Sequence, residues 1–235
     1  RDFKRVTDPL SKFGAKFKLK AGKNLPLTIF GSKNLNPINF IEKKGSAQCK
    51  SSVIFAGLRT KGTTVIKAKK SRNHTELMCK YLKLPLMSKN KKNFDEIKVR
   101  KTKNIKKLNY NIPSDISSSA FFIVLTVLSQ NSKITIKNVN INQSRIGVIT
   151  ILRKMGVKII FKNPKIYKGE KTADINVLSP KIIKPINCPS KLNSSAIDEF
   201  LLIFLVAAKA NGISNFKNLS ELDQKESPRL KWGEK

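Results

Sequence analysis

Small polar residues are followed by apolar runs in a pattern that occurs three times along the chain. The three segments are residues 46–69, 114–138 and 194–218. Each opens with small polar side chains and continues with an apolar stretch long enough for about three helical turns. Each then breaks at Gly, or at Asn and Ser, before a short β-type run. The pattern predicts a helix followed by a strand in every copy.

A second recurring element joins the end of a helix to a strand through glycine. It appears in LSKFGAKFKLK (10–20) and in LRKMGVKIIFK (152–162), where Gly14 and Gly156 fit the left-handed residue that ends a helix. Because helices and strands alternate along the chain, the sequence predicts an α/β fold built from a repeated unit.

The middle of the chain carries the signs of a domain boundary. The stretch from Pro85 to Leu108 is rich in Lys and only weakly periodic, which favours an exposed hairpin and connector. The residues that follow, NYNIPSD, carry the turn-forming side chains typical of a hinge. We therefore expect a first lobe at residues 1–108, a hinge at 109–111 and a second lobe at 112–235.

The net charge of +33 comes almost entirely from Lys. It indicates either nucleic-acid binding by phosphate neutralisation or a compositional bias toward Lys, Asn and Ile. Arg, the better reader of bases, is scarce, and aromatic residues are not interleaved with basic ones for base stacking. Bias is the preferred interpretation, although a positive surface would still attract small anionic substrates.

Cysteine and histidine are too few for a zinc site. Cys49, Cys79 and Cys188 lie far apart and His74 is the only histidine, whereas a structural zinc ion needs about four ligands at short spacings. Scattered single cysteines suit a reducing compartment. The longest apolar runs, FFIVLTVL and FLLIFLVAA, are far shorter than the roughly 20 residues of a membrane span. These features predict a cytoplasmic protein without a metal site or a membrane span.

Two polar segments in the first half are candidates for anion binding. Ser46 and Gln48 lie at a predicted helix start, where they either cap the helix or receive a phosphate or carboxylate. Arg72 and His74 follow the predicted strand of the first repeat, where α/β proteins often form sites, or they belong to a solvated turn. The sequence leaves both alternatives open.

Two charged segments in the second half are candidates for proton transfer. Asp198 and Glu199 precede a very apolar helix, so a raised pKa would let a carboxylate accept a proton, although an acid at a helix start needs no such role. In QKESPRL (224–230), Lys225, Glu226 and Arg229 either hold an anion and move a proton or form an exposed ion-pair patch.

Taken in order, six segments resemble the enolpyruvyl transferase family, and they span nearly the whole chain. They are GSAQCKSSVIFAGL, SRNHTE, PSDISSSAFF, SRIGVITILRKMG, AIDEFLLIFLVAA and QKESPRL. The resemblance implies a two-lobed inside-out α/β barrel built from repeated βαβαββ units, with helices buried inside. Family motifs would lie before Arg1 and after Lys235, so we expect an internal piece or a truncated chain in which both lobes are incomplete.

The resemblance also implies a reaction. The enolpyruvyl group of phosphoenolpyruvate would pass to the 5-hydroxyl of shikimate 3-phosphate, with release of phosphate, in the pathway to chorismate and the aromatic amino acids. The residues that the family pattern assigns to shikimate 3-phosphate are Ser46, Ala47, Gln48, Arg72, Asp198 and Lys225. Those assigned to phosphoenolpyruvate are Arg1, Gln48 and Arg229. Asp198 would accept the hydroxyl proton, and Glu226 would move a proton at the methylene carbon.

The same resemblance implies no cofactor, no metal and no nucleic-acid partner, and a monomer when the protein is complete. Departures from the family pattern fall at its binding motifs: Arg1 opens RDF in place of RPM, SRNH replaces RDH, and Asp223 and Pro228 are unusual in their segment. The alternative is the enolpyruvyl transferase that acts on UDP-N-acetylglucosamine, whose pattern lacks SAQ-x-KS. A basic nucleic-acid-binding protein is the distant alternative.

Overall fold

The computed structural model describes residues 3–224 and 229–233. The chain divides into two compact units, Arg1–Asn109 and Tyr110–Lys235, and each has its own buried core.

The first unit opens with a helix and a hairpin and continues with a mixed sheet. Its elements in chain order are α1 (Lys4–Lys12), β1 (Lys16–Lys20), β2 (Asn24–Phe30), β3 (Asn39–Glu42), α2 (Ala47–Gly57), β4 (Thr63–Lys69), α3 (His74–Tyr81), β5 (Leu86–Asn90) and β6 (Phe94–Arg100). The strands from β3 onward form a sheet of order β3-β4-β6-β5. Because β3 and β4 are parallel and the other pairs antiparallel, β3 to β6 make one βαβαββ unit.

Two local predictions in this unit are confirmed. The first repeat forms α2 and then β4, as its polar-to-apolar pattern predicts. Gly14 follows the end of α1 with φ +110°, a conformation that glycine adopts without the steric cost of a Cβ, and β1 begins two residues later.

The Lys-rich segment after Pro85 forms the predicted hairpin, but the prediction that it is exposed is wrong for β6. Ile97 and Val99 are fully buried because β6 lies inside the sheet, between β4 and β5. Helix α2 approaches them closely through Gly57, where an added Cβ would lie 3.2 Å from the Cβ of Val99. Lys98 and Arg100, which alternate with these residues along β6, lie on the other face and are exposed.

The second unit repeats much of this arrangement. Its elements are α4 (Ile116–Leu128), β7 (Lys133–Asn140), α5 (Gly147–Lys154), β8 (Lys158–Tyr167), β9 (Glu170–Leu178), a 3-10 turn (Ser190–Ser195), α6 (Phe200–Ala207), a second 3-10 turn (Ser220–Gln224) and α7 (Arg229–Gly233). The sheet order is β7-β9-β8, with antiparallel pairs. Ser114 makes a parallel bridge to Val139 of β7, in the place that β3 takes beside β4. Gly156, at φ +93°, links α5 to β8 as predicted.

The third repeat departs from its prediction. Helix α6 begins at Phe200, several residues after the small polar cluster, and the β-type run beyond it makes a single bridge, from Asn215 to Asn187. Pro185 and Pro189 flank Asn187 and have no backbone N–H to donate. The bridge to Asn215 uses the N–H of Cys188 and the carbonyl of Ile186, so these prolines remove donors only from the opposite edge of the segment.

Helix α4 is buried on one face only. Ile123 and Val127 lie in the core of the second unit, whereas Phe121, Phe122 and Leu125 on the other face are exposed. The resemblance implies helices buried inside each lobe, and α4 contributes its buried face to the core of the second unit. Within residues 3–224 and 229–233, no helix combines the length and apolar character needed to cross a bilayer.

Candidate functional site

The start of α2 is shaped by a buried carboxylate at the end of β3. Glu42 accepts hydrogen bonds from the backbone N–H groups of Lys44 at 3.0 Å and Gly45 at 2.6 Å, which folds the loop tightly. Gly45 has φ +72°, a conformation that favours glycine. Ser46 then caps the helix, because its Oγ accepts the N–H of Cys49 at 3.3 Å. The capping alternative is therefore realised at Ser46.

Capping does not exhaust the hydrogen bonds of Ser46. The Nη2 atom of Arg5, on α1, donates to the same Ser46 Oγ at 2.6 Å. Ala47 and Gln48 lie in the first turn of α2, where Ala47 is half-buried and Gln48 exposed. Sequence reasoning missed Arg5. The available signal was an arginine four positions after Arg1, in a chain whose cationic residues are mostly Lys.

Arg72 lies in the loop between β4 and α3, beside this helix start. The parallel strands β3 and β4 carry their following loops at the same edge of the sheet. An added Cβ on Gly45 would lie 3.4 Å from the backbone oxygen of Lys70, so the two loops approach within contact distance. Arg72 is half-buried there, and His74 is the first residue of α3. The structure thus brings Ser46 and the loop of Arg72 to one edge.

Two side-chain pairs fix α2 against α3 behind this edge. The Nζ atom of Lys50, which is fully buried, lies 2.6 Å from Oε1 of buried Glu76. The hydroxyls of Ser51 and Thr75 lie 2.7 Å apart. Burial, and secondarily the negative charge of Glu76, raises the pKa of Cys79 to about 11, so this thiol stays protonated at neutral pH. A buried ion pair of this kind is sensitive to the loss of either partner.

In the second unit, Asp198 is paired with Arg229. The Nη1 atom of Arg229 lies 3.1 Å from Oδ1 of Asp198, and both side chains are about a quarter exposed. Arg229 opens α7, and Asp198 precedes α6 by two residues. The other predicted residues of this group, Lys225 and Glu226, and also Arg1, lie outside the described residues.

A chain of polar contacts joins the start of α4 to the residue next to Asp198. Glu199 is almost fully buried and accepts a hydrogen bond from the hydroxyl of Ser117. Ser117 Oγ accepts from Nη2 of Arg145 at 2.6 Å, and Nη1 of Arg145 lies 2.8 Å from Oδ1 of Asp115. Asp115 in turn caps α4 by accepting the N–H of Ser118 at 2.9 Å. Ser117 and Arg145 were not among the predicted site residues, although both lie in segments that carry the family resemblance.

The start of α5 packs directly against the turn that leads to Asp198. An added Cβ on Gly147 would lie 2.5 Å from Ser195 Oγ and 2.7 Å from the backbone nitrogen of Ala196. No side chain fits at that distance, so the glycine permits the close approach. The packing of α5 against Ser195 and Ala196 therefore fixes the backbone that leads to Asp198.

Neither unit gathers metal ligands in the described part of the chain. No group of three or more His, Cys, Asp or Glu side chains comes together in residues 3–224 and 229–233. An open cavity of about 500 Å³ lies in the second unit at the carboxyl end of α4, beside Lys181 and Lys209. It contains none of the predicted site residues.

Comparison with known proteins gives consistent relatives. The profile of the family described as EPSP synthase (3-phosphoshikimate 1-carboxyvinyltransferase) matches residues 1–232. The 3-phosphoshikimate 1-carboxyvinyltransferase of Caldicellulosiruptor saccharolyticus is 40% identical over 233 residues, which covers 98% of this chain and 53% of that protein. The enzyme of the same name from Petrotoga mobilis is 37% identical over 234 residues, with the same coverage. The chain thus spans about half the length of these curated relatives.

Solved structures show the same kinship. An EPSP synthase from Acinetobacter baumannii superimposes with a TM-score of 0.85 at 33% identity, covering all of this chain and 52% of that one. The enolpyruvyl transferase NikO from Streptomyces tendae superimposes with a TM-score of 0.62 at 14% identity, over 89% of this chain and 49% of its own, and this likeness concerns the fold alone. The predicted fold class, the inside-out α/β fold of enolpyruvyl transferases, is confirmed.

Proposed function

Because the chain belongs to the EPSP synthase family, we propose that it carries residues for the transfer of the enolpyruvyl group from phosphoenolpyruvate to the 5-hydroxyl of shikimate 3-phosphate. The products are the enolpyruvyl ether and inorganic phosphate, in the pathway to chorismate and the aromatic amino acids. The proposal includes a cytoplasmic location, in keeping with the three free cysteines found among the described residues. It also includes a monomeric state for the complete enzyme.

In the first unit, the proposed ligand is the phosphate group of shikimate 3-phosphate. The first N–H groups of α2 have no acceptor within the helix, and the helix dipole is positive at that end. Ser46, Gln48 and the backbone of Ala47 lie at this start, and the loop of Arg72 approaches it from β4. Such a set of donors, with Arg5 on Ser46 and the loop of Arg72 nearby, suits a phosphate monoester.

The observation that carries this assignment is the contrast with the start of α4. Arg145 precedes α5 by two residues, as Arg72 precedes α3, and it binds the carboxylate of Asp115 at the α4 cap. In the first unit the cap is the neutral Ser46. The cap carboxylate is thus an internal anion at the start of α4, and the neutral cap of α2 is the one of the two that suits an external anion.

In the second unit, Asp198 is proposed to accept the proton of the attacking hydroxyl as its oxygen bonds to the enolpyruvyl carbon. Arg229, which holds the Asp198 carboxylate at 3.1 Å, is the proposed ligand of phosphoenolpyruvate. Lys225 and Arg1 are proposed as further anion ligands, and Glu226 as the group that moves a proton at the methylene carbon. Positioning of two anions and proton transfer supply the catalysis.

Phosphate release from shikimate 3-phosphate and phosphoenolpyruvate tests this function, in a protein that carries this chain within the full length of its relatives. Asp198→Asn should lower turnover by about 100-fold or more and leave the far-UV circular dichroism unchanged, because general base catalysis contributes about that much. Asp95→Asn, in the hairpin of the first unit, is the matched control and should keep its turnover. Full turnover in the Asp198 variant, or equal turnover with UDP-N-acetylglucosamine as acceptor, would contradict the proposal.

A further inference from the structure

We propose that Arg5 is a positioning residue for Ser46: its guanidinium directs the Ser46 hydroxyl proton outward, so that the hydroxyl donates to the bound phosphate. The inference rests on the proposed function, because it deepens the role of the α2 start in binding shikimate 3-phosphate. Arg5 is not among the residues that the family pattern assigns to either substrate.

The argument begins with the hydrogen-bonding capacity of a hydroxyl group. A serine hydroxyl has one proton to donate and two lone pairs that accept. The Ser46 oxygen accepts from the Cys49 N–H at 3.3 Å and from Arg5 Nη2 at 2.6 Å. Both lone pairs are therefore engaged, so the proton points away from the two donors and toward a further acceptor.

Arg5 is suited to this task because α1 holds it in place. Phe3, at the cap of α1, donates its backbone N–H to the backbone oxygen of Lys23 at 3.0 Å. Thr7, two residues after Arg5, is almost fully buried, and Phe13, just after the helix, lies in the core of the unit. The planar guanidinium loses little further freedom when it donates from a fixed helix.

Without Arg5, the Ser46 hydroxyl would lose this directional constraint. The hydroxyl could then turn either its proton or a lone pair toward the phosphate. Only the first orientation gives a hydrogen bond, because a lone pair is repelled by the anion. Arg5 also adds positive charge close to the helix start, which would help any anion. A test must therefore separate positioning of the hydroxyl from simple charge.

A double-mutant cycle on the affinity for shikimate 3-phosphate makes this separation. The cycle uses Arg5→Met, Ser46→Gly and the double variant of this chain, measured by titration calorimetry at fixed ionic strength. Gly replaces Ser at a helix cap at small cost while it removes the hydroxyl. Arg59→Met is the matched control for charge, because Arg59 is exposed at the other end of α2.

The expected loss of affinity for Arg5→Met is about tenfold when Ser46 is present, the size expected for a hydrogen bond to a charged group. In the Ser46→Gly background the same change should cost about twofold or less, because the hydroxyl it directs is gone. Arg59→Met should cost about twofold or less in either background, the effect of one distant screened charge.

Three outcomes would overturn the inference. An equal loss in both backgrounds would show that Arg5 acts on the anion directly, and no loss at all would show that Arg5 is irrelevant to it. Failure of the unmodified chain to bind shikimate 3-phosphate would contradict the proposed phosphate site itself, a result seen before any variant is made. Urea unfolding of each variant checks the fold, and Arg5→Gln replaces Arg5→Met if the latter unfolds.

Discussion

The two units of this protein place different residues at the corresponding helix start. In the first unit α2 begins beside the parallel strands β3 and β4, and in the second α4 begins beside the parallel bridge from Ser114 to β7. An arginine lies two residues before the next helix in each unit: Arg72 before α3 and Arg145 before α5. At α4 the cap is Asp115, whose carboxylate accepts a backbone N–H and pairs with Arg145. At α2 the cap is Ser46, a neutral group that accepts from a second cation, Arg5.

In both units the fold places the positive end of a helix dipole at this position. The residue at the cap then determines whether a side chain of the same unit or another anion can balance that charge. A carboxylate at the cap satisfies the helix dipole and the neighbouring arginine from within the chain. A hydroxyl at the cap accepts a backbone N–H without adding a negative charge to the helix start. We therefore propose that the start of α2 binds an anion, whereas at the start of α4 the cap carboxylate pairs with Arg145.

The largest expected effect comes from giving α2 the cap of α4. Ser46→Asp should weaken the binding of shikimate 3-phosphate by about 100-fold or more, because a carboxylate at the helix start repels the phosphate and pairs with its cations. Ser46→Asn is the matched control, because it caps equally well without charge. Titration calorimetry on both variants checks this. Equal affinities for the two would contradict the comparison.

A second prediction concerns the start of α5, which corresponds to the start of α3. His74 is accommodated in the first unit, whereas Gly147 packs against Ser195 and Ala196 with no room for a Cβ. Gly147→Ala should therefore destabilise the second unit by about 1–3 kcal/mol, the usual cost of overpacking. Urea unfolding monitored by hydrogen exchange of α5 measures this. Gly31→Ala is the control for the chain, because an added Cβ there meets nothing within 4 Å and the backbone is not in the left-handed region.

A third prediction removes the internal anion of the second unit. Asp115→Asn keeps a capping side chain but takes the negative charge from Arg145, and Asp115 is 42% exposed, so the loss should be about 0.5 kcal/mol. Hydrogen exchange of the α4 amides should rise slightly, and the effect should diminish in high salt. A loss that does not depend on salt would show that Arg145 acts by packing rather than by charge.

The smallest expected effect is a pH dependence confined to the second unit. The backbone N–H of Asn138, and then Asn163 and Lys137, lower the pKa of Asp174 from 3.8 to about 2. Because the folded pKa is depressed, the carboxylate stabilises the fold above pH 3.8, and this contribution is lost as the pH falls toward about 2. Asp174→Asn should flatten the acid dependence of unfolding in that range. An unchanged acid profile would show that Asp174 carries no such contribution.

The parts of the fold that the sequence predicts are those set by local chemistry. The polar-to-apolar change at Ser46 marks the start of α2, and Gly14 and Gly156 mark helix ends, because caps and left-handed residues depend on near neighbours. The position of β6 inside its sheet is a matter of strand pairing, which its Lys-rich composition conceals.

The parts of the site that the sequence leaves out depend on distant contacts. Arg5 and Ser46 are separated by 41 residues, and Ser117 and Glu199 by 82. No spacing rule predicts such pairs, because only the packing of α1 on α2, or of α4 on α6, brings them together. The resemblance identifies Ser46, Arg72 and Asp198 as candidates, and the packing adds Arg5 beside Ser46.

The most direct test of the central claim, that the start of α2 binds the substrate phosphate, is a nitrogen-15 amide spectrum of the chain titrated with shikimate 3-phosphate. The account predicts large saturable shifts for the amides of Ser46, Ala47 and Gln48, with the corresponding amides of Ile116 and Ser117 unchanged. Shifts of similar size at both helix starts, or none at the start of α2, would contradict it.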